Sequence, residues 1–293
     1  PAPGGGSEGA GAYRPDWAPT PSPSPGPSPT PPAAAPASPD PAIAARAAEN
    51  ALLAANVYSD DAALPAGFRV AGTADLDQLG LSPEMLEQPG SSFRAQVYVT
   101  GTGEDTRYVI AFRGSQTTED WVNNLQQGVG MDSASYAKAL EIGKVIGRSD
   151  AEVVFTGHSL GGGLASEAAI ASGREADTFN AAGLAGDTID AARGVAAGMG
   201  RSAAPVQAWH VPGEILTLLQ NGGDRVAGAI GGAVFGGPLG GPIGAAVVDM
   251  PEAYGIQHAL PDVRPDGAGW FDSINPLSRH GMDWVLAGTA ALR

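Results

Sequence analysis

The feature that most constrains this chain is a five-residue turn, Gly157-His158-Ser159-Leu160-Gly161. It lies between the run Val153-Val154-Phe155-Thr156 and the Ala-rich stretch from Leu160 to Ser172. A short β-branched run bounded by glycine reads as a buried strand, and the Ala-rich stretch reads as a helix. Joining the two with no intervening loop demands close approach, which small residues two before and two after the serine permit. The turn strains the serine backbone, lifts its hydroxyl above the sheet and aims the Leu160 N–H at the same space. The neighbouring segments fit this frame. Strands are predicted over 107–112, 152–156, 177–180 and 205–211, and helices over 43–58, 134–148 and 160–172. Alternation of this kind from Arg107 onward predicts an α/β fold with a mostly parallel central sheet and helices on both faces. Phe93 to Thr100 alternates and is followed by Gly101, Gly103 and Asp105, so it pairs with 107–112 as a hairpin.

Ahead of this domain the composition changes. Residues 19–41 read PTPSPSPGPSPTPPAAAPASPDP. Proline at that density cannot sustain helix or sheet ladders and favours extended polyproline II. Residues 1–41 are therefore expected to be a disordered Pro-rich linker and 42–293 the catalytic domain. The chain begins at Pro1 without a basic stretch and apolar run, so no signal peptide is visible, and a linker implies something attached upstream.

The net charge of -15 argues against nucleic acid, whose affinity comes from Lys and Arg, and against electrostatic adhesion to anionic membranes. The absence of Cys excludes disulfides, a thiolate nucleophile and cysteine metal sites. No ligand cluster stands out among the scattered Asp and Glu, so no metal and no cofactor are expected.

Serine is a poor nucleophile until a base takes its proton, and the chain has four histidines. His158 adjoins the serine and faces elsewhere on the turn. His210 falls in a predicted strand as a packed residue. His258 is predicted in a loop. His280 follows every acid candidate and precedes a final helix, so it best fits the order nucleophile, acid, base, with His258 second. The acid candidates are Glu214, directly after the strand 205–211, and Asp187 and Asp190, after the strand 177–180. A tetrahedral intermediate needs two donors on its oxyanion. The Leu160 N–H is one by the geometry of the turn. Ser115 lies just past the apolar end of 107–112, where loops converge on the site in open α/β sheets. Arg113 beside it reads as structural, since neutral ester chemistry needs no cation there.

The segment FTGHSLGGGLA resembles the nucleophile segment of class 3 lipases, and AFRGSQTTEDWVNNL resembles the same family's oxyanion segment. The wider pattern is closer to bacterial lipase-like toxin effectors, through TFNAAG at 178–183, VPGEILT at 211–217 and RHGMD at 279–283. The resemblance covers roughly residues 42–288. It implies an α/β-hydrolase fold with Ser159 as nucleophile, His280 as base, Glu214 where class 3 lipases place Asp, and Ser115 with Leu160 as the oxyanion hole. It also implies a serine lipase or phospholipase acting on membrane phospholipid or acylglycerol. The protein would be secreted or delivered to a target cell, with a secretion-system component and a cognate immunity protein as partners.

One stretch stands apart. Residues 226–248, VAGAIGGAVFGGPLGGPIGAAVV, carry no charge. That length passes the crude test for a membrane span, but Pro238, Pro242 and the many glycines count against one continuous helix. A lid or loop beside the site, membrane contact and a span are the three readings, and a lid favours a lipase over a generic esterase. The competing functions are a membrane-inserting interaction module built on this stretch and a soluble short-chain esterase.

Overall fold

The computed structural model describes residues 39–59, 63–88, 90–115, 133–221 and 251–293. The linker reading of 1–41 falls almost wholly outside them, as does the lid reading of 226–248. The first helix, α1 (Pro41–Asn56), starts where the proline-rich run ends. Asp40 caps it by accepting from the Ala42 amide at 2.7 Å, and Pro41 occupies the first turn, where no amide hydrogen is needed.

Among the described residues seven strands form one sheet in chain order: β1 (Arg69–Val70), β2 (Ala95–Thr100), β3 (Arg107–Phe112), β4 (Glu152–His158), β5 (Glu175–Phe179), β6 (Val206–His210) and β7 (Ile256–Ala259). β1, β2 and β3 pair antiparallel, and from β3 to β7 every pairing is parallel. The predicted hairpin is the β2–β3 pair, with Tyr98 opposite Val109. His258 sits in β7, not in a loop. The stretch Ile256–Ala259 is a mostly exposed edge strand, so it lacks the alternating apolar pattern that would have marked it.

Parallel neighbours need crossovers, and helices supply them. α2 (Thr73–Leu79) and α3 (Pro83–Leu86) lie between β1 and β2. α4 (Ser133–Ile146), α5 (Leu160–Ser172) and α6 (Gly186–Gly198) follow β3, β4 and β5 and pack on one another. After β6 come α7 (Ile215–Asn221), and after β7, α8 (Trp270–Ile274), α9 (Pro276–Arg279) and α10 (Met282–Ala290).

The two faces of β4 show the layering. Val153 and Phe155 join Leu164, Ala165 and Ala168 of α5 in one core. The opposite face is α1's: the Thr156 hydroxyl reaches the Asn50 carbonyl at 3.4 Å. There Ala47, Ala51 and Ala54 of α1 pack with Phe179, Trp209, Trp284 and Val285. The fold is thus a mostly parallel, helix-covered α/β sheet. Asp177 of β5 anchors α1 beneath it. Fully buried, its carboxylate accepts from Arg46 Nε and Asn50 Nδ2, each at 2.7 Å, and from Trp209 Nε1 at 3.4 Å. Burial nevertheless pushes its pKa up.

Candidate active site

The site assembles at the carboxyl ends of β3 to β6. Ser159 has φ 59 and ψ -128, a region that a non-glycine residue seldom occupies. The surrounding bonds hold it there. Its N–H donates to the Phe179 carbonyl at 3.0 Å, and its own carbonyl accepts from Gly162 and Ala182, both at 3.0 Å. A Cβ on Gly157 would overlap the Gly161 carbonyl, and one on Gly161 would overlap the Phe112 carbonyl. Both glycines are therefore required by the strand–helix approach itself. Leu160 opens α5, so its N–H belongs to the first helical turn, whose amides have no partner within the helix.

Glu214 and His280, 66 residues apart in sequence, meet directly: His280 Nδ1 lies 2.7 Å from Glu214 Oε2. Glu214 is fully buried at the start of α7. Oε2 also accepts from the Leu216 amide at 2.8 Å, and Oε1 accepts from the Thr217 amide and hydroxyl at 2.5 Å each. Burial alone would raise this carboxyl, but the bonds from His280 and Thr217 outweigh it and its pKa is lowered. A carboxylate on Nδ1 makes that nitrogen the N–H donor and leaves Nε2 as the basic nitrogen.

His280 is bound to the nucleophile turn through its backbone. Its carbonyl accepts from His158 Nε2 at 2.7 Å and from Asn180 Nδ2 at 3.1 Å, and the two imidazole rings are 4.8 Å apart. Because Nε2 of His158 faces a carbonyl, it carries the proton. Nδ1 then accepts from the Tyr58 hydroxyl at 3.2 Å, which in turn accepts from the Gly114 N–H at 3.0 Å. Burial, reinforced by His280, depresses His158 to about 3, so this bridge stays neutral. Gly114 packs on the His158 carbonyl and the Gly161 amide. Ser115 follows it, half-buried, in the same loop. Arg113 there donates to the Ser92 carbonyl at 2.8 Å, consistent with a structural part.

The other candidates lie apart. Asp187 and Asp190 are exposed on α6, and Asp187 accepts from the neighbouring Thr188 amide. His258 Nε2 meets Gln207 at 2.6 Å, and its ring stacks on Trp209. His210 ends β6 half-buried. Sequence reasoning missed Tyr58, Asn180 and Thr217. Asn180 is the other non-glycine residue with positive φ among the described residues, at 42, and it receives the Val211 amide on Oδ1 at 2.8 Å. It thereby holds both the acid loop and the base loop. An Asn directly after a strand, a residue type tolerant of left-handed backbone, was the available signal. Among the described residues no three His, Asp or Glu side chains gather as a metal site, and no helix is long and apolar enough to cross a membrane.

Comparison with known proteins gives two matches. The phospholipase-like family model for the Tle-like phospholipase domain matches residues 49–266. Extracellular phospholipase A1 of Serratia liquefaciens is 40% identical over 141 residues, which is 48% of this chain and 43% of that protein. The match thus spans less than half the length of that relative. Ser115, Ser159 and Glu214 lie inside the family match, and His280 lies beyond its end, joined to it by the bond to Glu214.

Proposed function

We propose that this chain, which belongs to the Tle-like phospholipase family, is a serine carboxylic-ester hydrolase that releases fatty acid from membrane phospholipid or acylglycerol. Ser159 Oγ attacks the ester carbonyl while His280 Nε2 takes its proton, and Glu214 stabilises the imidazolium. The tetrahedral oxyanion is met by the N–H groups of Leu160 and Ser115. Collapse of the intermediate expels the alcohol, protonated by His280, and leaves an acyl ester on Ser159. Water, deprotonated by His280, then releases the acid and restores the enzyme. The observation that carries this reading is the 2.7 Å His280–Glu214 bond, fastened by the His280 carbonyl to His158, the residue before a strained Ser159.

The biological setting proposed with it is a bacterial effector, secreted or delivered to a target cell, with a secretion-system component and an immunity protein as partners. A fluorophosphonate probe should label the parent and leave Ser159→Ala unlabelled. Acyl release from mixed phospholipid vesicles, followed by mass spectrometry, should fall by about 10⁴-fold or more in that variant. Equal labelling of both proteins would overturn the assignment. Vesicle leakage that survives Ser159→Ala would favour a membrane-inserting module instead.

A further inference from the structure

Three of the most exposed large apolar side chains of the described residues occupy a single turn. Trp270, Phe271 and Ile274 of α8 are 64%, 75% and 57% exposed. The Trp270 and Phe271 rings meet edge to face at 5.0 Å, so they present one joint apolar surface. Val263, 37% exposed, stands on the preceding loop.

This surface is braced to the candidate site by Arg279, a buried cation next to His280. Its Nη1 donates to the Ser273 carbonyl of α8 at 2.9 Å, and Nη2 pairs with Asp262, beside Val263, at 2.5 Å. Its Nε donates to the Pro212 carbonyl at 2.7 Å, two residues before Glu214, and its guanidinium lies 4.6 Å from the Trp284 ring centroid. One buried side chain therefore fixes both apolar segments to the acid loop. Single exposed apolar side chains are ordinary, but a contiguous exposed apolar patch marks an interaction surface. A rigid apolar projection beside the reacting groups fits a partner that is itself apolar and must be held at a fixed distance from Ser159.

Charge narrows the partner. Asp262, Asp266 and Asp272 lie in or beside the patch and outnumber the single exposed cation there, Arg264; Arg279 is consumed by its bonds, and the chain carries -15 overall. No basic cluster among the described residues of this face can draw anionic headgroups. A Trp–Phe pair with an aliphatic neighbour suits the interfacial region of a bilayer, where an aromatic ring meets both acyl chain and headgroup. We propose that Trp270, Phe271, Ile274 and Val263 form the surface on which the protein docks to zwitterionic phospholipid bilayer, with Arg279 transmitting that placement to the Glu214 and His280 loops. This rests on the lipid-hydrolase reading of the site.

The test separates docking from chemistry. In a Ser159→Ala background, co-sedimentation with phosphatidylcholine vesicles reads docking without turnover. The substitution Trp270→Ser with Phe271→Ser and Ile274→Ser should weaken that binding at least tenfold, and binding should not strengthen on adding phosphatidylglycerol. In the Ser159 parent, the same triple change should leave fluorophosphonate labelling and soluble-ester turnover within twofold while vesicle hydrolysis falls at least tenfold. The single change Phe271→Asp, checked by thermal melting, should give the same pattern should the triple variant misfold. Vesicle binding unchanged by these substitutions overturns the docking surface, as does loss of a self-associated dimer without loss of vesicle binding. Absent labelling and soluble-ester turnover in the parent would instead remove the hydrolase reading beneath it.

Discussion

Glu167 offers a test of the fold that does not involve the candidate triad. It lies on α5, one helix turn beyond Gly163, and is 3% exposed, with Oε2 buried and lacking a hydrogen-bond partner among the described residues. Burial raises its pKa from 4.5 to about 8, and its proximity contributes to raising the Tyr136 phenol on α4. The native state therefore keeps a proton that the unfolded chain releases. The sign follows from linkage: near pH 4.5 and below the group costs nothing, and the penalty on the folded state grows as pH rises, reaching its full size near pH 8. At 1.36 kcal/mol per pH unit, the gap between the two values amounts to roughly 4 to 5 kcal/mol, a large share of a stability that is ordinarily about 5–15 kcal/mol. Gln keeps the shape and cannot ionise. Glu167→Gln should match the parent within about 1 kcal/mol at pH 5 and exceed it by several kcal/mol at pH 9. Urea unfolding at pH 5, 7 and 9 measures this, since every other titrating group is common to both proteins and cancels in the difference. A stability difference equal at pH 5 and pH 9 would refute the argument, because it would mean that Glu167 ionises alike in the folded and unfolded chain.

Two further outcomes bear on the site. Glu214→Gln should lower turnover of a soluble ester by about 10³- to 10⁴-fold, because an amide cannot balance the imidazolium, whereas Asp187→Asn, exposed on α6, should stay within twofold; steady-state kinetics decide between them. Asn180→Ala removes the bonds to the His280 carbonyl and the Val211 amide, so kcat should fall about tenfold or more with KM for a soluble ester nearly unchanged, and urea unfolding should register a loss of roughly 1–3 kcal/mol.

The parts of this molecule legible in its sequence are those in which local chemistry and tertiary packing agree. β4 is β-branched because it is buried on both faces, and Gly157 and Gly161 are glycines because strand and helix backbones touch there. A reader of the sequence meets the same constraint that the fold meets, so the turn at Ser159 and the hairpin before it can be read directly. β7 was missed because its residues answer to no core: an exposed edge strand carries no apolar alternation, and His258 consequently read as loop.

The place of Asp177 was hidden for a different reason. It falls within a predicted strand, but nothing in that strand says what its carboxylate meets. Its partner, Arg46, lies 131 residues away on α1, and nothing local to either residue foretells the pairing. Burying one of these charges without the other would cost several kcal/mol, so the two specify jointly where α1 docks. The same holds for the bridge from Gly114 through Tyr58 and His158 to His280. Each member is an ordinary residue in its own segment, and the function of each as a positioning group exists only once four separate segments meet at the carboxyl end of the sheet. The nucleophile turn could be read from the sequence because it is one continuous stretch of chain. The groups that orient the base could not, because what defines them is a set of contacts between segments remote in sequence.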